Sequence, residues 1–262
     1  VRRLVLYLVS TLVLLGGAAG ALWVTLPDPA QLAHRDPRTT AVIEQRRHEA
    51  QVARRAFQLR QRWVPLDRIS PRLLDAVVLS EDARFYRHGA FDWREVQAAA
   101  GESLASGRPL RGASTLSQQL AKNLWLGTER TAWRKVREAV LALKLERALS
   151  KRRILTLYLG VAEWGDGVFG AEAAAREHFG VPAAALTAAQ SALLAAMLPA
   201  PRRADLTHPP RWLGRRARHL LDLMLEADRI DAAEHTHASA ELERWLSGMA
   251  GGAGEDEPPE DP

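Results

Sequence analysis

Residues 70–82 read Ser70-Pro71-Arg72-Leu73-Leu74-Asp75-Ala76-Val77-Val78-Leu79-Ser80-Glu81-Asp82, and their periodicity sets the fold class. Ser70 and Pro71 suit the N-cap and first position of a helix. Leu74, Val77 and Val78 then fall on one stripe at helical spacing, and Glu81 falls on it too. A carboxylate at the edge of an apolar stripe is partly desolvated, which makes it a better proton acceptor near neutral pH. The residues that follow, up to Arg94, are basic and aromatic, with Arg84, Phe85, Tyr86, Arg87, His88, Phe91 and Trp93. Two adjacent carboxylates therefore end a helix and face a cationic run. The plainer reading is a helix-terminal Glu81 paired with Arg84 or Arg87, and this segment alone leaves both open.

Outward from this stretch the same periodicity recurs. Helical patterns are predicted at 92–106, 115–124, 131–149, 151–161, 170–179, 187–198 and 210–227, and strand-like alternation is scarce. Ala- and Leu-rich helices with short Gly/Pro breaks, and no internal repeat, predict an all-α fold. The chain of 262 residues, 47% hydrophobic, has room for one large or two small cores.

Residues 4–26 carry no charge and follow Arg2 and Arg3, a length that spans a bilayer. The small residues Ala19-Gly20-Ala21 also suit a cleaved signal peptide, but the apolar run continues past them through Trp23 to Leu26. The reading favours an uncleaved transmembrane anchor over 1–26. Arg35 and Arg38 balance Asp28 and Asp36 just after it, so the positive-inside rule places the bulk of the chain outside the cytoplasm. Residues 27–62 then form a linker and an arginine-rich helix over 41–63. That helix lies either at the membrane surface or with its basic face in solvent. A main domain follows over 63–249. From 250 to 262 a Gly/Pro segment with Glu255, Asp256, Glu257, Glu260 and Asp261 reads as a disordered acidic tail. Setting those five carboxylates aside from the formal +5 leaves +10 on the rest, which calls for an anionic partner. For an exported, tethered protein that partner is read as anionic lipid or a phosphorylated substrate, not nucleic acid. Cysteine is absent, which fits an exported chain without demanding one.

Gly165-Asp166-Gly167-Val168-Phe169-Gly170 matches the dinucleotide-binding fingerprint letter for letter. That fingerprint needs a strand before it in a βαβ unit, whereas helical sequence flanks it here, so the glycines are read as a tight turn. His235-Thr236-His237 lacks the further ligands of a metal site. A stronger constellation lies in 130–149. Arg130, Arg134 and Arg137 cluster within roughly a 60° arc of the helix, with Glu138 beside them. Such a face suits phosphate or pyrophosphate oxygens. Pairing of Arg134 with Glu138 is the structural alternative, and it uses only one arginine. Val136, Val140 and Leu143 form one apolar seam and Leu141, Leu145 and Leu149 another, which predicts a central helix with Glu138 bordering the second seam. Between the two glutamates, Thr115 and Gln118 have capping-box spacing. Ser114, Gln119, Lys122 and Asn123 offer hydroxyl, amide and ammonium groups suited to sugar and phosphate oxygens.

Taken in order, these residues resemble the family 51 glycosyltransferases, which polymerise peptidoglycan from lipid II, and are most similar to the monofunctional biosynthetic transglycosylases. Glu81-Asp82, Phe85, His88 and Phe91-Asp92 match their first motif, and Gly112-Ala113-Ser114-Thr115-Leu116-Ser117-Gln118-Gln119 with Lys122-Asn123 the second. Arg134-Lys135-Val136-Arg137-Glu138 matches the third. Lys151, Ile154-Leu155, Tyr158-Leu159 and Glu163 to Ala175 match the fourth. Ala90, Thr156 and Gly160 stand where the family usually has Gly, Glu and Asn. Gly160 is read either as a left-handed C-cap or as the loss of an amide that would anchor the next turn.

The resemblance implies a lysozyme-like helical domain with a smaller mobile jaw within 89–112, and an inverting transfer. It makes Glu81 the base for the acceptor 4-hydroxyl. Lys122, Arg130, Arg137 and Glu138 would surround the donor pyrophosphate, Glu138 acting directly or through a divalent cation, Mg or Mn. Asp82, Ser114, Gln118, Gln119, Asn123, Arg134 and Lys135 complete the expected substrate contacts. No organic cofactor is implied. The implied partners are lipid II, the growing lipid-linked glycan, the membrane, and proteins of cell-wall synthesis or division. A lysozyme-like lytic enzyme and an inactive envelope scaffold are the alternatives.

Overall fold

The computed structural model describes residues 2–107, 114–129 and 131–248, apart from the side chains of Leu4, Val5, Leu6, Leu8, Val9, Leu12 and Leu15. The described residues are mostly helical. In chain order the helices are α1 (Arg2–Thr25), α2 (Ala41–Val52), α3 (Pro71–Glu81), α4 (Trp93–Ser106), α5 (Leu116–Ala121) and α6 (Ala132–Ala148). After them come α7 (Lys151–Val161), α8 (Ala171–Phe179), α9 (Ala188–Met197), α10 (Arg211–Glu226) and α11 (Ala232–Gly248). Two short strands, β1 (Arg60–Gln61) and β2 (Val168–Phe169), pair in parallel with Arg60 opposite Val168.

Local chemistry explains most boundaries. Ser70 Oγ caps α3 by accepting from the Arg72 amide, with Pro71 at the first position, and the same hydroxyl donates to the Leu186 carbonyl at 2.9 Å. Thr115 and Gln118 form a complete capping box on α5, and Thr187 and Gln190 form another on α9. α9 lies at the centre. Eight apolar residues of it, Ala188 to Met197, are buried with Ser191, and α3 and α10 pack on it. Trp164 is fully buried beside it and donates its indole N–H to the Leu194 carbonyl.

Several expectations need correction. The helix over 41–63 ends at Val52, because Arg54 takes a left-handed φ of 52° and the chain runs on as an extended segment into β1. Its arginines are not simply a basic face. Arg46 is bidentate with Glu163 at 3.0–3.1 Å, Arg47 pairs with Glu44, and Arg55 with Asp166. α6 buries one seam and not two, since Leu141 and Leu145 are inaccessible while Val136 and Leu143 are exposed. α11 has no clear apolar stripe in sequence, since His235-Thr236-His237 breaks its periodicity, and it forms as a helix over Ala232–Gly248 with Ala238 and Leu242 buried. Gly160 adopts neither proposed role. It lies inside α7, where a Cβ would sit 2.0 Å from the Trp63 ring, so the glycine makes room for an indole.

The glycine-rich segment is indeed a turn between α7 and α8. At Gly167 φ is 74°, and a side chain there would strike the Gln58 carbonyl, which lets β2 lie against β1. α1 leaves the domain through a fixed exit. The buried Lys144 donates to the carbonyls of Trp23 at 3.0 Å and Leu26 at 2.7 Å, and Arg147 stacks over the Trp23 ring. Among the described residues no helix is long and apolar enough to cross a membrane, and seven apolar side chains of the 4–26 run lie outside that description.

Candidate active site

Glu81 is the last residue of α3, so its carboxylate projects from the end of the helix where α5, α7 and α10 converge. Asp82 fixes the junction. Its Oδ1 lies 2.6 Å from His88 Nε2, and its Oδ2 accepts from the Leu116 amide at 2.9 Å, satisfying a donor at the start of α5. α5 then passes into a π-helical turn, Lys122–Leu126, closed by the Gly127 amide on the Lys122 carbonyl. Turns of this kind are rare and concentrate at functional sites.

Both oxygens of Glu81 are held. Gln119 Nε2 donates to Oε2 at 3.0 Å, while Gln119 Oε1 accepts from the Tyr158 hydroxyl at 3.1 Å. Ser80 Oγ donates to Oε1 at 3.0 Å, and Arg216 Nη2 reaches both Ser80 Oγ at 3.0 Å and Glu81 Oε1 at 3.4 Å. Burial, with the Glu81 charge adding to it, pushes the Tyr158 hydroxyl well above its usual range, so it stays protonated and keeps donating.

Beside this group stands a cationic shelf. Glu138 is 2% exposed and is gripped by Arg134 Nη1 at 2.6 Å and Lys135 Nζ at 2.5 Å, and Lys135 also donates to Ser114 Oγ at 2.9 Å. Lys122 keeps some exposed surface, but dense protein surrounds its ammonium. Burial pushes that ammonium down, with Glu138 and Glu81 pulling it back and Arg134 and Lys135 adding to the depression. Two cavities flank Gln119 and Glu81. One, of about 190 Å³, is lined by Glu81, Arg84, Glu95 and Ser114. The other, of about 270 Å³, is lined by Gln119, Lys122, Asn123, Tyr158, Glu163 and Arg202.

The structure thus brings Glu81, Gln119, Lys122, Asn123, Ser114, Arg134, Lys135 and Glu138 into one region. Two expected substrate contacts are committed elsewhere: Asp82 spends both oxygens inside the protein, and Gln118 is buried in its capping box, where its Oε1 accepts from the Thr115 amide. Arg137 makes no hydrogen bond or ion pair among the described residues and does not join Arg134 and Lys135 around Glu138. Arg130 lies outside the described residues. Glu138 does not fit as a metal ligand in this arrangement, since each oxygen already meets a cation. Among the described residues no cluster of three His, Cys, Asp or Glu could hold an ion.

Ser80, Tyr158 and Arg216 were not read as site residues. For Arg216 a signal existed: it stands three residues after Leu213 and four before Leu220, on the buried side of α10, yet Arg215-Arg216-Ala217-Arg218 does not say which arginine turns inward.

Residues 48–225 match the family described as Transglycosylase, about two thirds of the chain. The chain belongs to the transglycosylase family. The match runs from α2 to α10 and so includes every residue of the network around Glu81. Similar relatives are each called biosynthetic peptidoglycan transglycosylase. That of Laribacter hongkongensis is 49% identical over 70% of this chain and 80% of its own length. That of Rhodospirillum centenum is 56% identical over 60% and 67%, and that of Alcanivorax borkumensis 44% over 82% and 84%. The transglycosylase α1 and α11 lie outside the matched residues.

Proposed function

We propose that the chain is a peptidoglycan glycosyltransferase in which Glu81 is the general base and the Lys122, Arg134 and Lys135 shelf receives the donor pyrophosphate. Family membership and the relatives' names support the activity. The observation that carries the mechanism is the Glu81 carboxylate, held by both oxygens on the wall of a cavity with an ion-paired cationic shelf beside it.

In this reading the acceptor 4-hydroxyl oxygen attacks the donor anomeric carbon and inverts it. Glu81 takes the hydroxyl proton, and the bond from that carbon to the phosphate oxygen breaks. Negative charge grows on the departing lipid pyrophosphate, where Lys122, Arg134 and Lys135 stabilise it. By resemblance Arg130 and Arg137 meet the same pyrophosphate, Arg137 from its own place on α6 and not through Glu138. Glu138 acts through the two cations it orients, so no step needs a metal held by the protein. Residues 4–26 are the single-pass anchor, with the domain outside the cytoplasm. The grip of Lys144 on the carbonyls of Trp23 and Leu26 supports this by holding the site at a set height above the bilayer. We assign the smaller jaw of a lysozyme-like domain to α4, which buries none of its residues.

Incubating the purified protein with lipid II, and separately with mature glycan, tests the reading. Polymer from lipid II is expected. Cleavage of glycan would favour a lytic enzyme, and no reaction with either a scaffold. Glu81→Gln, which keeps the shape and loses the proton acceptor, is expected to abolish polymerisation with an unchanged melting temperature.

A further inference from the structure

We propose that Arg216 is a positioning residue for the reaction, holding the Glu81 carboxylate in a fixed orientation. The inference rests on the reading of Glu81 as the base. Arg216 comes from α10, far in sequence from the residues that carry the chemistry, and it reaches Glu81 in two ways. Its Nη2 lies 3.4 Å from Oε1, and it donates to Ser80 Oγ, which in turn donates to the same oxygen. Its Nε is buried with no acceptor among the described residues. The other Glu81 oxygen is fixed by a neutral relay from Tyr158 through Gln119. Charge on one side and neutral hydrogen bonds on the other leave Arg216, among the described residues, as the cation ion-paired with the base.

The surroundings of Glu81 define what Arg216 can control. Asp82 is next in sequence but is tied to His88 and the Leu116 amide. Lys122, at the end of α5, feels Glu81 as well as Glu138, and Tyr158 on α7 is neutral. Arg84, Asp92 and Glu95 line the cavity on the open side, where Arg84 pairs with Asp92. Removing the Arg216 guanidinium therefore leaves Glu81 Oε1 with the Ser80 hydroxyl alone and frees the carboxylate to turn, so kcat must fall while KM changes little.

The test uses the full chain with lipid II and measures kcat and KM separately for Arg216→Gln, Arg216→Lys and Ser80→Ala, with thermal melting of each. Arg216→Gln keeps a helix-compatible, hydrogen-bonding side chain and removes the cation. It is expected to lower kcat roughly tenfold with KM little changed and the melting temperature kept. Arg216→Lys recovers most of kcat, and Ser80→Ala, which frees Arg216 from its bridge, lowers it by less. An unchanged kcat in both Arg216→Gln and Ser80→Ala overturns the proposal. So does a loss that Arg216→Lys fails to rescue, or one carried by KM alone. Polymerisation by folded Glu81→Gln would instead remove the base assignment itself.

Discussion

At the scale of single residues, Lys122 and Arg134 illustrate how burial separates two cations of one shelf. Arg134 is paired with Glu138 at 2.6 Å. Lys122 is rooted in the π-helical turn, where burial favours its neutral form and Glu138 only partly offsets that. Its charge is therefore lost at lower pH than that of an exposed lysine, and with it the stabilisation of a departing pyrophosphate. The alkaline limb of kcat/KM for lipid II is expected below the ordinary lysine range of about 10.4. Lys122→Arg should move that limb upward, because a guanidinium does not deprotonate. A limb that stays in place would show that another group titrates there. The buried pair of Arg46 and Glu163, on the wall of the larger cavity, shows the opposite balance. Burial works against the Arg46 charge, and the carboxylates of Glu163 and Glu49 more than offset it.

At the scale of elements, α7 shows how a residue that reads as a helix defect can be a packing requirement. Gly within a helix costs about 1 kcal/mol relative to Ala. Here that cost is tied to the Trp63 indole, which occupies the space of the missing side chain, and to Gln61 Nε2, which donates to the Gly160 carbonyl at 2.8 Å. The segment ahead of α3 is thereby fastened to the helix that carries Tyr158. Gly160→Asn is expected to destabilise the fold by about 1–3 kcal/mol through overpacking. Differential scanning calorimetry checks this, and a raised melting temperature would mean that Trp63 can move aside. Thr156, on the same helix, returns its hydroxyl to the Arg152 carbonyl at 2.7 Å and touches nothing at the site.

At the scale of the whole molecule, the path of α1 matters as much as the cleft. Lys144 neutralises the carbonyl end of a long apolar helix and anchors it to α6, the helix that also carries Glu138. The exit of α1 and the shelf cations Arg134 and Lys135 are thus about two and a half to three turns apart on one helix. Lys144→Met keeps the length of the side chain but leaves both carbonyls without that donor. It is expected to cost about 1–3 kcal/mol, read as a lower melting temperature of the full chain in detergent. No change would show that water replaces the ammonium at that exit.

The sequence by itself determined the helical class and most helix ends, and it singled out the two glutamates that the fold gathers into one region. The reason is that caps and apolar stripes act within a few residues: Ser70, Thr115 and Thr187 state their helix starts locally, and Glu81 and Glu138 announce themselves by interrupting apolar stripes. Only the tertiary structure decided which partners those residues meet. Arg216 reaches Glu81 across 135 residues and Arg46 reaches Glu163 across 117, and the space beside Gly160 belongs to Trp63. No spacing rule encodes such contacts, because they depend on how α9 gathers α3 and α10 around itself. The same packing gave the oxygens of Asp82 and Gln118 backbone donors at the start of α5.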